Sequence, residues 1–440
     1  STTSEERYLS ADKPYDDFKL FAKRRQGIEY YIDNHDDYFY IRTNENAKNY
    51  KLMKVPIKNL SKKNWKEIIP GRKDVKIEDF DLFENYMVIY ERENGLEKIR
   101  IINIKTRDEH YVDFPEPVYS FWLGNNKEFN TDILRFKYTS LVTPTTIFDY
   151  NMNNHIKELK KQYEVKGGYN IEDYITERIF AEDSYGIKIP ISIVYKKDIQ
   201  KDGDNPLLLY GYGAYGSNMD TYFSSPRLSL LDRGFIFALA HIRGGGELGE
   251  EWYQDGKLLK KKNTFNDFII CAECLISKGY TSKDKLIIEG GSAGGLLVGA
   301  VTNMRPDLFK AVIAEVPFVD ILNTMMDSTI PLTIGEYEEW GNPNDKKYFD
   351  YIRSYSPYDN IEKKNYPIIL VESSLNDTRV GYWEPTKWVA KLRALKTDNN
   401  ILLLRTNMGA GHGGSSGRYD WYRDVAFRYS FMLDIMGINE

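Results

Sequence analysis

The sequence has 440 residues, of which 42% are hydrophobic and 28% charged, a composition that is typical of a packed globular protein and excludes a fibrous or disordered one. The formal net charge of -5 provides no broad basic field, so we expect no nucleic-acid partner. No run approaches the roughly 20 apolar residues of a membrane span and the first residues are polar, so we expect a cytoplasmic protein without membrane attachment.

The first domain is predicted over residues 1–168, where apolar and aromatic residues alternate between Asn, Asp and Gly turn signals. Segments that begin near Ile28, Ile77 and Val118 each contain several short strands. Their spacing of about 40 to 50 residues is typical of β-propeller blades. With a partial blade before Ile28, the sequence predicts an incomplete all-β propeller of three to four blades.

The second domain is predicted over residues 169–440, where strands alternate with helices. Strands are predicted over residues 177–180, 189–195, 207–210, 235–240, 286–289, 311–316, 368–372 and 401–405. Helices are predicted over residues 264–278, 293–303, 383–395 and 419–436. Alternation of this kind indicates a mostly parallel sheet of about eight strands, covered on both faces, as in an α/β-hydrolase domain.

A candidate nucleophile, Ser292, lies in the G-G-S-A-G motif of residues 290–294, directly after the apolar run LIIE and directly before a helical run. Such a G-x-S-x-G motif between a strand and a helix predicts a nucleophile elbow. The turn is so tight that only glycine fits beside the serine. Ser292 is then presented at the carboxyl edge of the sheet, beside the positive end of the helix.

A serine hydroxyl needs a base, and the sequence has five histidines. His412 lies in the glycine-rich run GAGHGG after the last predicted strand, the position that the chain order Ser, Asp or Glu, His gives to the base. The acid should follow the preceding strand, where Asp377 lies in SSLND. Asp377 is favoured over the rival Glu372, which falls within the strand itself, and is expected to orient the imidazole.

An oxyanion hole requires two hydrogen-bond donors, and the backbone N–H of Ala293, the residue after the nucleophile, is the first. The second is expected from the YGYGAYG segment (residues 210–216), which follows an earlier strand and whose tyrosine hydroxyls could donate. The alternative is a glycine-rich connector with stacked tyrosines.

Other patterns are interpreted as structural. The stretch RGGGELG at residues 243–249 formally contains G-x-G-x-x-G, but no acidic residue ends a second strand about 20 residues later, so no nucleotide cofactor is expected. Cys271 and Cys274, the only cysteines, fall in a predicted helix and indicate neither a redox pair nor a disulfide framework. The lysine-rich run within residues 257–262 is expected to be a solvated face, and no metal site is predicted.

With these residues in place, the sequence resembles the prolyl oligopeptidase family of serine peptidases. The resemblance rests on YGYGAYG, RLSLLDRGFIFALAHIRGGGELGEEWYQDGKLLKKKNTFNDF, GGSAGG, EVPFVDILNTMMDSTIPLTIGEYEEWGNP, SYSPYDNI, NDTRVGYWEPTKWVAKLRALKTDNNILLL and GHGGSSGR. It implies a Ser292, Asp377 and His412 triad and an oxyanion role for Tyr212.

The resemblance also implies substrate contacts. Arg379 matches an arginine that binds a backbone carbonyl of the peptide, and Glu336 with Glu338 matches an acidic pair that holds Arg or Lys before the scissile bond in members with basic specificity. Short basic peptides are therefore the expected substrates, because a planar guanidinium takes bidentate carboxylate contacts.

Other functions stay open at this point. A prolyl-type oligopeptidase, a general esterase or an aminopeptidase would use the same triad, and a truncated, inactive homologue would act as an interaction protein. Family members normally have a seven-bladed propeller and a preceding segment, whereas this sequence has about half of the blades, so its size exclusion and stability are expected to differ. The oligomeric state is not predicted.

Overall fold

The structure, a computed structural model, describes residues 2–438, which divide into two compact units. One unit comprises the residues up to Thr139 together with Thr145–Glu164 and Glu247–Glu251. The other comprises Ser140–Pro144, Val165–Gly246 and the residues from Trp252 onward.

The first unit consists of antiparallel sheets. A two-stranded ribbon, β1 (Arg7–Tyr8) with β2 (Lys19–Leu20), precedes three four-stranded sheets. These are β3 (Tyr30–His35), β4 (Tyr38–Thr43), β5 (Lys51–Pro56) and β6 (Lys66–Ile69); β7 (Val75–Leu82), β8 (Tyr86–Glu93), β9 (Leu96–Asn103) and β10 (Glu109–Tyr111); and β11 (Tyr119–Leu123), β12 (Ile133–Ser140), β13 (Thr146–Asn151) and β14 (Lys157–Gln162). The predicted propeller blades are confirmed, and they begin close to the expected positions.

Alternating side chains place one face of each blade strand in the interior, as the pleat requires. In β7, Val75 and Ile77 are buried, and after a register shift between Ile77 and Asp79 the buried positions continue at Phe80 and Leu82. The β-bulge inserts one residue, so both halves of the strand keep their apolar side chains on the core face.

The second unit is built on one eight-stranded sheet in the order β15-β16-β18-β17-β19-β20-β21-β22. Its strands are β15 (Tyr174–Glu182), β16 (Lys188–Lys196), β17 (Leu207–Tyr210), β18 (Ile236–Ala240), β19 (Leu286–Gly291), β20 (Ala311–Glu315), β21 (Ile368–Ser374) and β22 (Leu402–Asn407). β15 and β16 pair antiparallel and the strands from β18 to β22 pair parallel. The predicted α/β-hydrolase sheet is confirmed, with all eight strands.

Nine α-helices lie within the described residues: α1 (Ser225–Leu231), α2 (Glu250–Gln254), α3 (Lys262–Ser277), α4 (Ala293–Met304), α5 (Ile321–Met326), α6 (Thr333–Trp340), α7 (Lys346–Arg353), α8 (Trp383–Leu395) and α9 (Arg418–Met436). The four predicted helices correspond to α3, α4, α8 and α9. The other five have eight residues or fewer, too few for a clear 3.6-residue repeat of apolar positions.

The two cysteines and the first glycines of the RGGGELG stretch lie in the second unit. Cys271 and Cys274 are free thiols of α3. A Cβ atom at Gly244 would lie 2.2 Å from the Gly213 carbonyl oxygen, so this glycine permits close packing of two backbone segments. Within residues 2–438, no helix is long and apolar enough to cross a membrane, and no group of three or more His, Cys, Asp or Glu residues is arranged to hold a metal ion.

One expectation about the lysine-rich run is wrong. Lys260 is exposed, whereas Lys257 and Lys261 are buried with 7% and 2% exposure. Both buried ammonium groups make hydrogen bonds inside the second unit: Lys257 to the Tyr253 hydroxyl at 2.9 Å and Lys261 to the Gly213 carbonyl oxygen at 2.5 Å. These polar partners make burial of the charge possible.

Candidate active site

Ser292 occupies a sharp turn between β19 and α4, with φ 56° and ψ -116°. A positive φ is a strained conformation for a residue with a side chain, and such strain is typical of nucleophile elbows. A Cβ atom at Gly290 would lie 2.2 Å from the Gly294 carbonyl oxygen, so glycine is required for the strand and the helix to meet. The turn has the geometry that the motif predicts.

Asp377 and His412 meet at the carboxyl ends of β21 and β22, two neighbouring parallel strands. His412 Nδ1 lies 2.7 Å from Asp377 Oδ2, and Asp377 Oδ1 accepts hydrogen bonds from the backbone N–H groups of Arg379 (2.8 Å) and Val380 (2.9 Å). Burial alone raises the pKa of Asp377, but the hydrogen bonds from His412 and the two N–H groups outweigh it, so the pKa is lowered. The carboxylate therefore stays ionised beside the imidazole.

Glu372, the rival acid, faces other partners. It lies within β21 and forms ion pairs with Arg405 at 2.8 Å and Arg428 at 3.2 Å. Burial raises its pKa to about 7, although Arg405 opposes the shift. The structure therefore places Asp377, and not Glu372, against the imidazole.

His412 lies in a glycine-rich turn after β22. Asn407 Oδ1 accepts hydrogen bonds from the N–H groups of Gly409 and Ala410, and these bonds fix the start of the turn. Within residues 2–438, the structure records no hydrogen bond between Ser292 Oγ and the His412 ring. Catalytic hydrogen bonds are often long or poorly aligned without substrate, so a triad of these residues would require the contact to form when substrate binds.

Tyr212, in the YGYGAYG segment, lines the same cavity as Ser292. Burial, followed by the charges of Glu336 and Glu339, raises the pKa of Tyr212 to about 12, while the charge of Arg379 and the nearby Ser292 side chain act in the opposite direction. The hydroxyl therefore remains a hydrogen-bond donor at neutral pH.

Ala293 begins α4, where the first backbone N–H groups have no partner within the helix. Both predicted oxyanion donors, Tyr212 and Ala293, line the same cavity as Ser292.

A cavity of about 740 Å³ adjoins Ser292 in the second unit. Its polar wall includes Tyr212, Tyr215, Glu336 and Arg379. Its apolar wall is formed by Phe318, Met325, Ile330, Pro331, Leu332 and Val380. A pocket with a mostly apolar wall and a few convergent polar groups is typical of a ligand site.

Helix α6 places the two glutamates of the predicted acidic pair on different faces. Glu336 lines the cavity, and its Oε2 accepts hydrogen bonds from the Tyr215 hydroxyl at 2.8 Å and from Trp340 Nε1 at 2.9 Å. Glu338 is exposed and does not line this cavity. Residues three or four apart share a helix face, so the carboxylate that faces inward with Glu336 is that of Glu339.

Glu339 was not predicted as a site residue. It is 3% exposed, and its carboxylate accepts hydrogen bonds from the Tyr215 backbone N–H at 3.0 Å and from the Tyr253 hydroxyl at 2.7 Å. Glu336, Glu339 and Trp340 share one face of α6, but this spacing identifies Glu339 only once the segment is known to be a helix.

Two family models match the chain: the prolyl oligopeptidase family over residues 221–439, and the N-terminal beta-propeller domain of prolyl oligopeptidase over residues 1–163. Dipeptidyl aminopeptidase BI of Pseudoxanthomonas mexicana is 48% identical over 96% of this chain and 58% of its own length. Protease 2 of Moraxella lacunata is 42% identical over 100% of this chain and 63% of its own length. The chain therefore spans about three fifths of the length of these relatives.

Among solved structures, oligopeptidase B from Leishmania major superposes with a TM-score of 0.93 and 42% identity, covering 99% of this chain and 63% of that protein. The eight-stranded sheet with its nucleophile elbow, together with the propeller blades, defines an α/β hydrolase of the propeller-bearing class. The chain belongs to the prolyl oligopeptidase family.

Proposed function

We propose that this protein is a serine peptidase that hydrolyses short peptides on the carboxyl side of Arg or Lys. The observation that carries the proposal is the shared cavity, in which the strained Ser292 lies with the oxyanion donor Tyr212 and the carboxylate of Glu336. The likeness to Protease 2 and to oligopeptidase B supports peptide hydrolysis.

In the proposed mechanism, Ser292 Oγ attacks the scissile carbonyl and His412 Nε2 takes the hydroxyl proton. Asp377 holds the imidazole in the required tautomer and stabilises the imidazolium. Tyr212 and the Ala293 N–H stabilise the oxyanion, the imidazolium protonates the leaving amine, and water then hydrolyses the acyl-enzyme. The first step requires Nε2 to come within about 3 Å of Oγ.

Arg379 is proposed to bind a backbone carbonyl of the peptide. Its side chain is exposed and lines the cavity, and its charge lowers the pKa of Tyr212. A guanidinium offers several N–H donors, which suits a peptide carbonyl beside the oxyanion donor.

Glu336 is the proposed determinant of basic specificity. Burial raises the pKa of Glu336, and the hydrogen bonds from Tyr215 and Trp340 offset only part of this rise. The buried carboxylate charge is therefore only partly stabilised by its present partners. Those two donors both use Oε2, and Oε1 accepts no hydrogen bond from the described residues. A substrate guanidinium or ammonium would supply the missing partner.

Replacing Glu336 with Gln should lower kcat/KM for an Arg substrate by about 10- to 150-fold, because a charge-assisted hydrogen bond contributes about 1.5–3 kcal/mol. Glu338→Gln is the matched variant, and we expect less than about a fivefold loss because exposed ion pairs contribute little. Fluorogenic peptides with Arg, Lys, Pro or Ala before the reporter measure both. Equal losses in the two variants, or a preference for Pro over Arg, would refute the assignment of Glu336.

Replacing Tyr212 with Phe should lower kcat by about 10²- to 10³-fold with little change in KM, because loss of one oxyanion donor costs about 2.7–4 kcal/mol in the transition state. The matched control is Tyr185→Phe, which removes a hydroxyl from a side chain that is 90% exposed. Steady-state kinetics on the Arg peptide provide the measurement. An unchanged kcat for the Tyr212 variant would remove this residue from the oxyanion hole.

Release of dipeptides from free N-termini is a second candidate, because a relative at 48% identity is named dipeptidyl aminopeptidase BI. The two activities differ in their need for a free amino group. If N-terminally blocked and free peptides of the same sequence are cleaved at similar rates, the endopeptidase assignment stands. Cleavage of the free form alone would favour the aminopeptidase.

A further inference from the structure

The middle of the YGYGAYG segment is held by two buried side chains of opposite charge. Lys261 Nζ donates a hydrogen bond to the Gly213 carbonyl oxygen at 2.5 Å, and Glu339 Oε1 accepts one from the Tyr215 N–H at 3.0 Å. One side chain therefore holds the backbone carbonyl of Gly213, and the other holds the backbone N–H of Tyr215, two residues further along the chain.

Both charges are costly to bury. Lys261 and Glu339 are 2% and 3% exposed, and side chains of these types are rarely buried unless they are paired. Burial lowers the pKa of Lys261 to about 8, with the Glu339 charge opposing the shift. None of the proposed chemical steps uses either group, so their burial calls for a different explanation.

The backbone of the segment is irregular after β17, and its own backbone hydrogen bonds connect it to other strands and loops only near its two ends: Gly211 N–H to the Glu289 carbonyl oxygen at 3.3 Å, and Gly216 N–H to the Gly244 carbonyl oxygen at 2.9 Å. In the middle, the Ala214 carbonyl oxygen accepts a local turn bond from the Ser217 N–H at 3.0 Å. At Gly213, φ is +67° and a Cβ atom would lie 2.4 Å from Thr264 Cγ2. The position of the middle therefore depends on close packing and on the two charged anchors.

The anchors also connect to the Glu336 side of the cavity. The Lys261 ammonium lies 4.9 Å from the ring centroid of Trp340, the residue that donates to Glu336. Glu339 fixes the backbone of Tyr215, whose hydroxyl donates to the same carboxylate. One buried pair thus supports both the oxyanion tyrosine and the acidic residue of the cavity.

We infer that Lys261 and Glu339 are positioning residues, which hold the YGYGAYG segment so that Tyr212 stays beside Ser292 in the cavity and Tyr215 stays on Glu336. This inference rests on the proposed hydrolytic role of Ser292 and Tyr212. Lys261 acts mainly on kcat through Tyr212, and Glu339 acts mainly on KM for Arg substrates through Tyr215.

A double-mutant cycle tests the role of Lys261. Lys261→Met should lower kcat by about tenfold or more, and in the Tyr212→Phe background the same change should add less than about twofold, because groups that act through one another are not additive. Lys260→Met, at the exposed neighbour, is the matched control. Losses that multiply in the double variant, or a wild-type kcat in Lys261→Met, would overturn the inference for Lys261.

Glu339→Gln keeps the shape of the side chain and serves as the second variant if Lys261→Met does not fold. It should raise KM for an Arg substrate by about tenfold while an Ala substrate is affected about twofold or less, because only the basic side chain depends on a correctly held Glu336. An equal effect on both substrates would refute its positioning role.

The rate of Ser292 phosphonylation by a fluorophosphonate separates this inference from the proposed function, because that reaction does not depend on the peptide side chain. If wild-type Ser292 reacts and Lys261→Met reacts at the same rate, the positioning role fails and the function stands. If wild-type Ser292 does not react, the proposed function fails and the positioning role fails with it.

Discussion

Replacement of Ser292 by alanine is expected to abolish peptide hydrolysis, with a loss of about 10⁶-fold in kcat, the size found when a triad nucleophile is removed. The effect is large because Ser292 supplies the attacking oxygen. Alanine at the turn between β19 and α4 has no hydroxyl with which to form the acyl-enzyme. KM should change little, since Glu336 and Arg379 remain in the cavity.

Ser277→Ala is the matched control. The Ser277 hydroxyl donates to the Cys274 carbonyl oxygen at the end of α3 and is exposed, so its loss should leave kcat unchanged. Substrate turnover and thermal melting of both variants distinguish lost chemistry from lost folding. A Ser292→Ala variant that retains more than about a hundredth of the wild-type kcat would show that another residue is the nucleophile.

The second large effect is expected for Asp377→Asn, with a loss of about 10⁴-fold in kcat. Asp377 Oδ1 accepts two backbone N–H groups, so an asparagine would keep its carbonyl oxygen on them and turn its amide nitrogen toward His412 Nδ1. That amide donates a hydrogen bond to Nδ1, which must then be unprotonated, so the imidazole proton lies on Nε2. The base would then be in the wrong tautomer to accept a proton from Ser292.

Glu372→Gln provides the comparison, since Glu372 was the rival acid. Its carboxylate is paired with Arg405 and Arg428, so neutralising it should change kcat by less than about fivefold. Measured kcat values for the two variants decide the assignment. A greater loss for Glu372→Gln than for Asp377→Asn would reverse the roles of the two carboxylates.

The strands of the second unit could be predicted because parallel strands are buried on both faces and so form continuous apolar runs. LIIE in β19 is an example, with Leu286, Ile287 and Ile288 fully buried. Short helices gave no such signal. Helix α6 has eight residues and was not predicted. Which carboxylate lies beside Glu336 depends on the helical spacing, so Glu339 could not be identified from the sequence.

The approach of the triad residues could be predicted only in part. Chain order places Ser292, Asp377 and His412 after parallel strands, whose carboxyl ends meet at one edge of a sheet. The Asp377 to His412 hydrogen bond agrees with that expectation. The contact between His412 and Ser292 depends on the path of a glycine-rich turn, which sequence does not determine because glycine allows many backbone conformations.

The burial of Lys261 shows another limit. Three consecutive lysines at residues 260–262 indicate a solvated surface, and Lys260 conforms. Lys261 is buried because a backbone carbonyl distant in sequence, that of Gly213, accepts a hydrogen bond from its ammonium group. Such a partner is determined by the tertiary structure and not by the neighbouring sequence.

The domain boundary between residues 168 and 169 stays a prediction.

The most direct test of the account is to identify the residue that carries the acyl group during turnover. A peptidyl-Arg ester, for which deacylation is expected to be slow, is mixed with the protein, quenched in acid and analysed by peptide mass mapping. We predict one acyl group per chain, on Ser292, and none in the Ser292→Ala variant. An acyl group on a different residue, or turnover by the Ser292→Ala variant at the wild-type rate, would contradict the account.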